Sequence, residues 1–225
     1  MTKVIPKPAL RGSQKWLQVA INEKSSFLNT LILKQLPKSN DQTIMWLSPI
    51  KSDEYAEYRD ADFLERLNIE LPNRSLVSFW PRHGPQWDGL GKTQDGAVLL
   101  IEAKAHIPEI RSPATQASEK SQELIQESLK EVKSFLGVQS KVDWSGTYYQ
   151  YTNRIAHLYF LREINKLPAY LVFVNFINDK EMNGPTHEDE WHTAIHDLEA
   201  HLGLPAQHKL SQYILHVYLD ISLLQ

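Results

Sequence analysis

The apolar positions follow two periods along the chain. Over residues 13–36 they recur at helical spacing, with Trp16, Ala20, Phe27, Leu31 and Leu36 as anchors, and predict a helical section. Pro37-Lys38-Ser39-Asn40-Asp41 reads as a loop. A helix is expected over 53–67, striped by Ala56, Phe63, Leu64 and Leu67 and ended by Pro72-Asn73. Strand-like sequence follows at 75–80, around Asp88, and at 98–104. Residues 116–136 read as an amphipathic helix closed by Gly137, and 146–165 as another. The run 170–176 is rich in β-branched and aromatic residues, as a buried strand is. Pro185-Thr186 opens a helix, with Asp189 three residues after the Thr cap, and 213–219 is the last strand. The order α-α-β-β-β-α-α-β-α-β predicts one α/β domain over 1–225. It has a mixed central β-sheet flanked by helices, with a helical N-terminal section at 1–50 and a core at 51–225.

The run Val98-Leu99-Leu100-Ile101-Glu102-Ala103-Lys104 changes this picture. Strand side chains alternate between faces, so Val98, Leu100, Glu102, Lys104 and His106 share one face and Leu99, Ile101, Ala103 and Ala105 the other. A carboxylate and an ammonium on a buried strand are costly unless they are paired or hold a metal. Upstream lies Gln86-Trp87-Asp88-Gly89, and the turn between the two falls at Gln94-Asp95-Gly96. A two-residue loop would set Asp88 opposite Ala103, facing away from Glu102. A three-residue loop with Gly96 left-handed sets Asp88 opposite Glu102, and that register or an equivalent bulge is expected. Opposed Cβ atoms stand about 5 Å apart, close enough for two carboxylates to share a cation.

This constellation resembles the PD-(D/E)xK phosphodiesterases, the restriction-endonuclease-like nucleases. Asp88 matches the first acid, Glu102 the (D/E) and Lys104 the lysine, while Trp87 stands where the nominal motif has proline. The resemblance spans roughly 50–220. It implies Mg²⁺, with Mn²⁺ able to substitute, held by Asp88, Glu102 and the Ala103 carbonyl, and Lys104 beside the attacking water. It further implies a Glu on a helix before the sheet, for which Glu57 is the choice and Glu54 the alternative. It also implies a Gln or basic residue on the helix after the lysine strand. Gln150, Asn153, Arg154 and His157 form one polar face there at i, i+3, i+4 and i+7, and are candidates for substrate contact. Arg suits phosphate because its fork matches that geometry. Arg82 and His83, in the loop before Asp88, are weaker candidates. Nucleic acid, DNA before RNA, is the implied partner. Residues 1–50 lie outside the resemblance, with an extra helical layer or a homodimer contact as the roles open to them.

Composition narrows the reading further. A chain of 225 residues, 42% hydrophobic and 23% charged, suits an ordinary globular domain. Cysteine is absent, which excludes disulfides, thiolate metal sites and a cysteine nucleophile and fits a reducing cytoplasm. No run approaches a membrane span or a signal peptide, so no membrane partner is expected. The net charge of −3 counts mildly against a nucleic-acid binder, although a metal-dependent nuclease concentrates acids in its site. Gly89-Leu90-Gly91-Lys92-Thr93 imitates the end of a P-loop, but Gln86 stands where the first glycine belongs and a strand follows. His192 and His196 have zinc-clasp spacing without an HExxH pattern, and read as the polar edge of a helix whose core stripe is Trp191, Ile195, Leu198 and Leu202.

Overall fold

The computed structural model describes residues 3–6, 9–37 and 43–225. Five strands form one mixed sheet in the order β1-β2-β3-β4-β5: β1 Ile44–Ser48, β2 Gly89–Thr93, β3 Val98–Lys104, β4 Ala169–Ile177 and β5 Ile214–Asp220. β1, β2 and β3 are antiparallel neighbours, while β3, β4 and β5 run parallel. Six helices flank the sheet: α1 Gly12–Asn22, α2 Ser25–Leu33, α3 Asp60–Arg66, α4 Glu119–Leu136, α5 Tyr149–Tyr159 and α6 Glu188–Leu202. The expected α/β class is therefore present. Among the described residues no helix is long and apolar enough to cross a membrane.

The alternation along β3 builds two cores. Leu99, Ile101 and Ala103 pack with Val172, Val174, Leu215 and Val217 under α1 and α2. Val98 and Leu100 pack with Leu171 and Phe173 under α3, α4, α5 and part of α6. The N-terminal helices thus form a layer on the sheet face opposite α5.

Several boundaries differ from the sequence expectation. Residues 13–36 form two helices, broken at Glu23-Lys24, and the loop expected at 37–41 lies outside the described residues beyond Pro37. The section 1–50 is not wholly helical, because β1 joins the sheet edge; its five residues are too short a run for periodicity to resolve. The helix expected over 53–67 is confined to α3. Glu54, Tyr55 and Asp60 adopt left-handed backbone, and the chain between them runs extended, bridging Glu57 to Val4 and Tyr58 to Trp87. The strand expected at 75–80 is instead a 3-10 turn, Leu76–Ser78, which drops Phe79 and Trp80 into the core against α5. Phe79 stacks on Phe160 at 4.9 Å between ring centroids. With no strand edge beside it, this β-prone run is settled by aromatic burial. α6 is capped one residue later than expected, with Glu190 rather than Asp189 accepting the Thr186 and His187 N–H groups.

The hairpin takes the three-residue register. Gly89 faces Ile101, Gly91 faces Leu99 and Lys92 faces Val98, and Thr93 donates to the Ala97 carbonyl at 2.9 Å. Gln94-Asp95-Gly96 is the loop, with Gly96 at φ +86° and nothing within 4 Å of an added Cβ. The only obstacle to a side chain there is backbone strain. Gly96→Ala is expected to lower stability by about 1 kcal/mol, and Gly96→Asn by less, with an unchanged denaturant slope. Equal stability for Gly96→Ala in urea unfolding would contradict this loop geometry.

Candidate active site

Extending the hairpin register by one pair sets Asp88 opposite Glu102. Asp88 Oδ2 accepts the Ala103 N–H at 2.8 Å, which ties the first acid to β3 itself. Glu102 is 1% exposed. Its Oε1 accepts from Lys104, and its Oε2 is held by Arg154 Nε and Nη2, each at 2.7 Å. Lys104 also donates to Gln150 Oε1 at 2.9 Å. Asp88, Glu102, Lys104 and Gln150 are therefore brought together from the residue before β2, from β3 and from α5.

Charge explains the arrangement. Burial alone would raise the Glu102 pKa, but Arg154 and Lys104 outweigh it and hold the carboxyl below its usual range. Burial works against the Lys104 charge, yet Glu102 and Asp88 outweigh that and raise its pKa. Asp88 keeps some solvent contact but no such compensation. Crowding by protein atoms, then the charges of Glu102 and Glu57, push it up to about 8 despite the opposing pull of Lys104. Behind the pair a cavity of about 20 Å³ is walled by Tyr151, Phe173, Ile195 and Leu198, so little water screens these charges.

Glu57 is not on a helix, which corrects the expectation of a helix-borne Glu at this position. It is nonetheless buried beside the site, with Gln14 Nε2 at 2.8 Å from Oε1 and Gln86 Nε2 on Oε2. Glu54, the alternative, lies in a left-handed turn.

The α5 polar face is also corrected in part, because α5 is buried nearly all round. Arg154 is 3% exposed, and its fork is spent on Glu102, on the Gln86 carbonyl at 2.6 Å and on Asn153 Oδ1 at 3.0 Å. It also lies over the Trp87 ring at 4.8 Å. Buried and with four of its five N–H groups engaged this way, Arg154 positions Glu102 and presents no open fork to a phosphate. Asn153 supports Arg154 and does not face a cleft. His157 sits among Phe63, Phe79, Trp80 and Trp87, with Nδ1 2.9 Å from the Asn153 carbonyl oxygen, and lines no substrate surface. Arg82 is exposed in its loop, whose neighbours His83 and Gly84 donate to Asp60.

Sequence reasoning missed Gln14, Gln86 and Asn175. Asn175 lies beside Lys104 in the β3–β4 register and is 2% exposed. Gln86 adjoins the motif and was within reach of the sequence; Gln14 is distant and carried no signal. On α6, His192 meets Tyr218, while His196 is exposed. Among the described residues no group of three or more His, Asp and Glu side chains is poised to hold a metal. Comparison with family models, with characterised proteins and with solved structures finds no match for this chain.

Burial pushes the His157 pKa down from 6.5 to about 3. Between those values the unfolded chain binds a proton that the folded chain excludes, so stability falls as pH drops below 6.5. At pH 5 this one group costs about 2 kcal/mol relative to neutral pH. Urea unfolding of His157→Gln is expected to show a pH 7 to pH 5 loss smaller by that amount. An unchanged loss would mean that His157 is not buried in its neutral form.

Proposed function

We propose that this chain is a metal-dependent nuclease with a restriction-endonuclease-like core, hydrolysing phosphodiester bonds in cytoplasmic nucleic acid, DNA in preference to RNA. The observation that carries the reading is the Asp88–Glu102–Lys104 grouping at the end of a hairpin whose three-residue loop sets the two acids against each other.

The donor set fits a hard divalent cation. Among the described residues no lysine or arginine pairs with Asp88 or Glu57, and Asp88 is pushed toward its neutral form by burial first and then by the neighbouring carboxylates. A dication relieves this kind of repulsion. Two carboxylates and a carbonyl are also enough for Mg²⁺, which keeps waters and phosphate oxygens in the rest of its sphere. Mg²⁺ or Mn²⁺ held by Asp88, Glu102 and the Ala103 carbonyl would neutralise phosphate charge and lower the pKa of an attacking water.

The chain's own groups do the rest. Lys104 is a compact cation on a flexible stem, held by Glu102 and Gln150 where it can orient water and stabilise charge growing on the phosphate. From α5, Gln150 reaches Lys104 and Arg154 reaches Glu102. Glu57 adds negative charge beside Asp88, and Arg154 fixes the Glu102 rotamer.

One observation favours a second reading. Glu102 is already neutralised by two cations, as it would be in a catalytically inactive nucleic-acid-binding module of the same fold.

Incubation with single-stranded DNA, double-stranded DNA and RNA in Mg²⁺ separates the two. Cleavage is expected from the wild type, with Asp88→Asn and Lys104→Ala each reducing the rate about a hundredfold or more while circular dichroism stays native. Wild-type rates in both variants would refute the assignment. Binding of nucleic acid without cleavage would support the inactive module.

A further inference from the structure

Glu57 reaches the site without a helix to carry it. Its backbone lies in a two-way bridge with Val4, each N–H donating to the other's carbonyl at 2.8 and 2.9 Å. Its side chain is held by Gln14 from α1 and by Gln86 from the segment before Asp88. Both restraints other than Gln86 come from the N-terminal section, which the nuclease resemblance does not cover. Gln14 is offered from a fixed support, since Trp16, Leu17, Ala20 and Ile21 of α1 are buried against the sheet and Trp16 Nε1 donates to Asp179 Oδ2 at 2.8 Å.

The contacts form one continuous chain: Gln14 to Glu57, Glu57 to Gln86, the Gln86 carbonyl to Arg154, Arg154 to Glu102, Glu102 to Lys104, and Lys104 to Gln150. It spans both faces of the sheet, from α1 to α5. A carboxylate whose side-chain donors are neutral amides meets no counter-charge from them, so its charge is open to a nearby cation. An amide suits Gln14's position because a lysine or arginine there would cancel that charge.

We infer that the N-terminal section is part of the active site, with Gln14 as a positioning residue that holds Glu57 toward the cation proposed beside Asp88. This rests on the metal-dependent reading above. Outer contacts of this kind are worth about ten- to a hundredfold in metal affinity. Gln14 acts through Glu57, so its effect vanishes once Glu57 no longer carries charge.

The test is Mn²⁺ affinity, followed by calorimetry or by the spin-resonance signal of free Mn²⁺, in the wild type, Gln14→Leu, Glu57→Gln and the double variant. Gln14→Leu is expected to weaken binding about tenfold, with the unfolding midpoint in EDTA unchanged. Combined with Glu57→Gln, it is expected to add nothing to the loss from Glu57→Gln alone. Val4→Pro removes the N–H that the Glu57 carbonyl accepts and is expected to weaken binding likewise, so the inference stays testable if Gln14→Leu does not fold. Wild-type affinity in Gln14→Leu and Val4→Pro, or losses that add in the double variant, would overturn the inference alone. Absence of Mn²⁺ binding by the wild type would overturn the metal reading and the inference together.

Discussion

Glu102 is a carboxylate at 1% exposure in the middle of a sheet, and much of the surrounding structure serves to keep it charged. Arg154 closes on it from α5, Lys104 from two residues along β3. Removing Arg154 would take one of the two cations from a buried carboxylate and is expected to be destabilising, with Lys104 still in place to compensate part of the charge. The ion pair also dictates position. Arg154 binds the Gln86 carbonyl with the same guanidinium, so the segment leading into Asp88 is fastened to the strand bearing Glu102. The separation of the two acids is thus set twice, by the hairpin register and by this clamp.

A site built this way divides its charges unequally. Glu102 has two cations, whereas Asp88 and Glu57 have amide donors only. The local field is negative on the β2 side of Glu102 and balanced on the α5 side. Under the metal-dependent reading proposed above, that asymmetry is what would draw a divalent cation between Asp88 and Glu102. It leaves Lys104, tied to Gln150, at the edge of the same space.

The legible part of the sequence was the part governed by local rules. The alternation along 98–104 gave the two faces of β3, while Gly96 was compatible with either loop length and the choice of register came from the need to set Asp88 against Glu102. The parallel strands β4 and β5 were plain from their apolar runs. What escaped depended on partners distant in the chain. Residues 54–60 break from helical backbone because Glu57 pairs with Val4 and Tyr58 with Trp87. Residues 75–80 turn inward because Phe79 and Trp80 find aromatic neighbours on α5. The polar stripe Gln150, Asn153, Arg154 and His157 was visible as a stripe, but not that α3, the 76–87 segment and β3 close over most of it. A polar face at helical spacing does not reveal whether it meets solvent, a ligand or a buried carboxylate. Of the four, Gln150 lies beside Lys104 and is only half-buried.

Titration of Mn²⁺ into the wild type and into the Asp88→Asn/Glu102→Gln variant by isothermal calorimetry tests the central claim without knowledge of the substrate. Saturable binding by the wild type, lost in the double variant, is the predicted result. Equal binding by both proteins, or none by the wild type at millimolar metal, would contradict a cation held between the two acids.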